Sequence, residues 1–102
     1  MDRKVNLTVN ENPIKLDNFV EGYVYHVTNG ILASLKDTGV IKKFELDIDS
    51  SGDVKINLNG KDVPLSFFPV EIIRNTLAGM VSNLKGVEGK LKTLEIRISQ
   101  KN

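Results

Sequence analysis

His26 is the only histidine of the chain, and it stands one helical turn before Gly30. Asn75 stands at the same spacing before Gly79. Imidazole and carboxamide groups both donate and accept hydrogen bonds, which suits them to line a small polar ligand pocket. Catalysis by His26 would need a serine, cysteine or carboxylate placed beside it, and no such group stands at a diagnostic spacing. Tyr25 and Arg74 flank the two residues, so the chemistry differs most at these adjoining positions. The expectation is a non-enzymatic chain in which His26 and Asn75 are the candidate ligand-binding residues.

Other groupings resolve into ordinary structure. Asp47-Ile48-Asp49-Ser50-Ser51-Gly52-Asp53 alternates oxygen-bearing residues like the start of a calcium loop. The twelfth position, where a bidentate Glu closes such a shell, is Leu58. Asp, Ser and Gly are also the residues a tight β-turn selects, and that is the reading adopted. Lys36, Lys42, Lys43, Lys85, Lys90 and Lys92 gather after the two predicted helices. They suit either a paired anion site or, more simply, the negative ends of the helix dipoles. The glycines of Lys85-Gly86-Val87-Glu88-Gly89-Lys90 follow a helix instead of opening one, so this is no phosphate loop. Without cysteine there is no disulfide, thiolate site or Cys nucleophile. No metal and no cofactor are expected.

The elements that must position these residues come from an internal repeat. An offset of 49 residues superposes Val5 on Val54, Asn10 on Asn59, Leu16 on Leu65, Phe19 on Phe68 and Gly30 on Gly79. One extra residue within 86–89 moves the offset to 50, which places Gly39 on Gly89, Glu45 on Glu95 and Ile48 on Ile98. The predicted organisation is one α+β domain over residues 1–102, a tandem duplication of a ββαβ unit, with repeats at 4–49 and 53–99. Two helices would pack on a largely antiparallel, curved, six-stranded sheet as a two-layer α/β sandwich.

Val54-Lys55-Ile56-Asn57-Leu58 alternates apolar and polar residues, and Asn59-Gly60 is a strong hairpin turn. That turn sets Ile56 opposite Val63 and Val54 opposite Leu65. The same register in the first copy sets Leu7 opposite Ile14 and Val5 opposite Leu16. Pro13 and Pro64 lack a ladder N–H and place the second strand of each copy at a sheet edge. The closing strands fall at 41–49 and 91–99.

The helices are predicted to bury Phe19, Tyr23, Val27, Gly30, Ile31 and Leu35, and Phe68, Ile72, Thr76, Gly79, Met80 and Leu84. Asn18 with Glu21 suggests a capping box, and the helices should end near Gly39 and Gly86. Gly30 and Gly79 would meet where the helices cross. Within each unit the first strand is expected between the second and third, through a right-handed crossover. The short link at 49–53 favours an antiparallel step between units. Reconciling the two needs a curved sheet, two facing half-sheets or strand exchange with a second chain.

Function follows only in outline. Apolar residues make up 40 % of the chain, and 14 basic residues nearly balance 13 acidic ones. A net charge of +1, with no aromatic residue on the exposed sheet positions, speaks against nucleic acid and anionic membranes. The N-terminus lacks the apolar run of a signal peptide, so a cytoplasmic location is expected. Val20, Val24, Val70, Leu77 and Val81 widen the apolar helix faces beyond the predicted core. Such excess predicts an interaction or assembly module that self-associates as a homodimer or takes a protein partner. The alternative expectation is a small-ligand binder with its pocket near His26 and Asn75.

Overall fold

The computed structural model describes residues 2–34, 42–65, 67–84, 87 and 90–101. The elements run β1 (Asp2–Val9), β2 (Asn12–Ile14), α1 (Asn18–Ser34), β3 (Lys43–Ile48), β4 (Val54–Leu58), β5 (Lys61–Val63), α2 (Phe67–Val81) and β6 (Leu94–Lys101). The class is α+β. All six strands pair antiparallel in one sheet of order β2-β1-β6-β3-β4-β5. Exchanging β1, β2 and β3 for β4, β5 and β6 leaves this order unchanged apart from its direction.

Turn chemistry sets the hairpins. Asn59 and Gly60 take φ of 53° and 86°, and Ile56 faces Val63. Asn10 and Glu11 take φ of 50° and 69°, and Leu7 faces Ile14. Both registers are those the Asn-Gly turn predicts, although the ladders stop at Ile14 and Val63, short of Leu16 and Leu65. The proline-bearing β2, and β5 just before Pro64, are the two sheet edges.

The expected order within each unit is overturned. β1 lies between β2 and β6, and β4 lies between β5 and β3. A strand has only two edges, and short turns at both ends of β4 commit both of them to β3 and β5. β6 therefore inserts between β3 and β1. In consequence β2 and β3 are antiparallel, and the handedness rule for parallel crossovers does not govern the α1 connection. The exchange of strands occurs between the two halves of one chain.

One sheet face is apolar. Val5, Leu7 and Val9 lie opposite Ile98, Ile96 and Leu94, which in turn lie opposite Phe44, Leu46 and Ile48. Buried residues of both helices join this face in a single core. The other face is polar, and at its centre Arg97 reaches Asp47, Glu45 and Glu95 at 2.8, 3.3 and 3.4 Å. These pairs are partly exposed, so each contributes only modestly to stability.

Both helices present a different face from the one their periodicity suggested. Val24, Thr28 and Leu32 of α1, and Ile73, Leu77 and Val81 of α2, are buried, together with Met80, which the periodicity did place in the core. Phe19, Tyr23 and Ile72 are 78, 48 and 48 % exposed. Thr76 is exposed as well. Of the residues read as surplus, Val24, Leu77 and Val81 are thus in the core and Val20 and Val70 pack against it, while several of those read as core face outward. The expected glycine contact is likewise overturned: Gly30 and Gly79 are exposed, and a Cβ added at either would meet nothing within 4 Å. Asp17, one residue before the predicted cap, accepts the Val20 N–H at 2.8 Å and caps α1. Leu35, the side chain of Phe68 and the predicted helix ends at Gly39 and Gly86 lie outside the described residues.

Among the described residues Thr28 is the buried polar exception. Its residue is 1 % exposed and its hydroxyl has no hydrogen-bond partner. Leu77 occupies the corresponding position of α2. Thr28→Val keeps the shape and removes the unsatisfied group, so it should raise unfolding free energy by about 1 kcal/mol. Urea titration checks this; a loss of stability would show that the hydroxyl is bonded in solution.

Candidate functional site

The outer side of the helix layer is the first candidate. Phe19, Tyr23, His26 and Gly30 recur at intervals of three or four, so they form one stripe along α1. Ile72, Thr76 and Gly79 form the corresponding stripe on α2, with Asn75 at its margin. The rings of Phe19 and Tyr23 stack at 6.2 Å with an interplanar angle of 14°. Charge is sparse here. The fully exposed residues described in either helix are uncharged and Glu21, Glu71 and Arg74 are half-exposed, whereas the outer sheet face carries Lys4, Lys43, Glu45, Asp47, Lys55, Glu95 and Arg97. A solvated helix face ordinarily carries more charge than this.

A cleft of about 570 Å³ is the second candidate. Its floor is the end of β3 and the turn at residues 49–52, one wall is α2, and the other is the segment leading into β6. Arg74 enters it from α2, donating from Nη1 to the Gly52 carbonyl at 2.9 Å and lying 3.8 Å from Glu71. Lys90 and Lys92 line the opposite wall. That wall is anchored by Asn10, whose Oδ1 accepts the N–H groups of Lys92 and Thr93 at 2.6 and 3.0 Å. The Asn10 Nδ2 donates to the Lys90 carbonyl at 3.0 Å.

Of the two residues singled out from the sequence, the cleft takes in Asn75 and not His26. His26 is exposed and lies edge-on to the Tyr25 ring at 5.3 Å. The sequence singled out Arg74 only by its difference from Tyr25 at an offset of 49 residues, and its placement in the cleft comes from the fold.

Residues 47–53 are the end of β3 and the turn that follows it, and two of their three acidic groups are engaged as follows. Asp47 pairs with Arg97. Asp49 accepts the Ser51 hydroxyl at 2.7 Å and the N–H groups of Ser51 and Asp53 at 3.0 and 3.1 Å. These bonds, led by that from the Ser51 hydroxyl, hold the Asp49 carboxyl below its ordinary pKa. Among the described residues no group of three or more acidic, His or Cys side chains is placed to hold a metal ion. No described helix is long and apolar enough to cross a membrane. Comparison of the chain with protein-family models, with curated proteins and with solved structures finds no match.

Proposed function

We propose that the chain is a tandem duplication of a ββαβ unit that works as a non-enzymatic, self-associating interaction module, joined to a second copy through the outer face of its helices. The observation that carries this reading is the uncharged outer stripe of both helices, with Phe19, Tyr23 and Ile72 exposed on it. A glycine within an exposed helix costs about 1 kcal/mol relative to alanine. Two of them, at corresponding positions of this stripe, are what close approach of a second backbone requires.

A second copy suits the face better than an unrelated partner. Matching stripes on α1 and α2 give it an approximate two-fold character, and a two-fold dimer contact needs a surface complementary to itself. The molecule is a slab of 35 × 33 × 18 Å. Its broad face exceeds the roughly 800 Å² that each partner contributes to an interface of standard size. The duplication is supported by the offset of 49 residues and by the strand order, which survives exchange of the halves.

Sedimentation of the full chain at about 50 µM should return twice the monomer mass of 11.3 kDa. Phe19→Asp with Tyr23→Asp places two charges in each contact face and should give a monomer with unchanged far-UV circular dichroism. A wild-type chain that stays monomeric at that concentration overturns the self-association.

A further inference from the structure

We infer that the cleft beside Arg74 is a binding site for a small organic acid, an anionic head on a short apolar body. The argument begins with the corresponding place at the other end of the sheet. There, Arg3 is the second residue of β1, Tyr25 belongs to α1 and Gln100 lies near the end of β6. The Arg3 guanidinium sits 4.2 Å from the Tyr25 ring centroid, and Gln100 Nε2 donates to the Tyr25 hydroxyl. Three large side chains thus meet between the helix and the strand ends.

The residues at the matching positions of the second half are Gly52, Arg74 and Ser50, and all three line the cleft. The position ahead of β4 has lost its side chain, the turn after β3 carries Ser where β6 carries Gln, and the cation has moved to the helix. Gly52 cannot be refilled simply. Its φ is +90°, and an added Cβ would lie 3.1 Å from Arg74 Nη1. The same architecture is thus plugged at one end and open at the other, and the opening holds an arginine.

The lining states what would fit. Arg74, Lys90 and Lys92 bring three cations to the lining against one acid, Asp49, whose Oδ1 is turned to Ser51 and Asp53, so positive charge is in excess. Arg74 donates to Gly52 through Nη1 and holds Nη2 3.8 Å from the half-exposed Glu71 carboxylate, too far for a hydrogen bond, so a bound anion would compete with that loose pair for the guanidinium N–H groups. Ile48, Ala78, Val81 and Leu91 supply apolar wall for the rest of the molecule. The volume lies within the range of small-molecule sites.

The test is a ¹⁵N-resolved NMR titration of the full chain with hexanoate, hexyl phosphate, hexanol and hexylamine. Hexanoate or hexyl phosphate should shift the amides of Gly52, Ala78, Leu91 and Lys92, and whichever binds more tightly identifies the head group. Hexanol and hexylamine should bind at least tenfold more weakly. Arg74→Ala should weaken anion binding tenfold or more. Lys92→Ala, at an exposed side chain, should weaken it severalfold without disturbing the rest of the spectrum. Anions that bind no better than hexanol, or shifts confined to the Phe19–Tyr23 stripe, overturn the assignment.

Discussion

Leu77→Ala should cost about 2–5 kcal/mol of unfolding free energy, while Ile72→Ala on the same helix should change it by about 1 kcal/mol or less. Leu77 is fully buried at the centre of α2, with Ile73 and Val81 one turn away on either side. Its loss leaves a cavity between helix and sheet that close-packed neighbours fill only in part. Ile72 is 48 % exposed, and alanine is the better helix former. A small domain in urea has an m-value on the order of 1–1.5 kcal/mol per molar, so the Leu77 variant should unfold about 2 M earlier. Both variants belong in the Phe19→Asp, Tyr23→Asp background, where self-association does not add to stability. Equal losses, or a larger loss at Ile72, would return the core to the face that sequence periodicity chose.

Asn10→Ala and Asn59→Ala should each lose about 3 kcal/mol, an unusual amount for residues in surface turns. Both residues hold positive φ, which costs an alanine about 1–2 kcal/mol. Both also use Oδ1 twice. Asn10 accepts from Lys92 and Thr93, and Asn59 accepts from Lys42 and Lys43 at 2.8 and 2.9 Å. Their own N–H groups donate to the Thr93 and Lys43 carbonyls at 2.8 and 2.7 Å. Each asparagine thus sits in one half of the chain and fastens the entry of the closing strand of the other half. The glycine variants separate the two contributions, since glycine tolerates the backbone and lacks the carboxamide. Asn10→Gly and Asn59→Gly should recover roughly the conformational part and retain the rest of the loss. Alanine variants indistinguishable from wild type in urea would show that strand entry needs no such fastening.

These expectations mark what could be read from the residues and what could not. Alternation along Val54-Lys55-Ile56-Asn57-Leu58 and the Asn59-Gly60 turn determined the hairpin and its register, because both are local constraints acting over a few residues. Pro13 likewise marked an edge, since a missing N–H is a property of the residue itself. The apolar and polar faces of the sheet follow from a period of two, which allows only two choices.

The helices allowed more. α1 is apolar around much of its circumference, and assigning its aromatic residues to the core turned the buried face by most of one residue, on the order of 100°. The sheet decided otherwise: it takes Val24, Thr28 and Leu32, and leaves Phe19 and Tyr23 to solvent. Strand order was beyond local reading for a similar reason. Each strand has two edges, and which neighbour takes the second edge depends on every other pairing in the sheet. The candidate cleft depends on that decision. Arg74 stood out in the sequence only by its difference from Tyr25, and Ser50 and Gly52 only as turn residues; antiparallel placement of β6 beside β3 carries Lys90 and Lys92 across from them. The residues determined the pieces and their faces, and the competition for strand edges decided which of them meet.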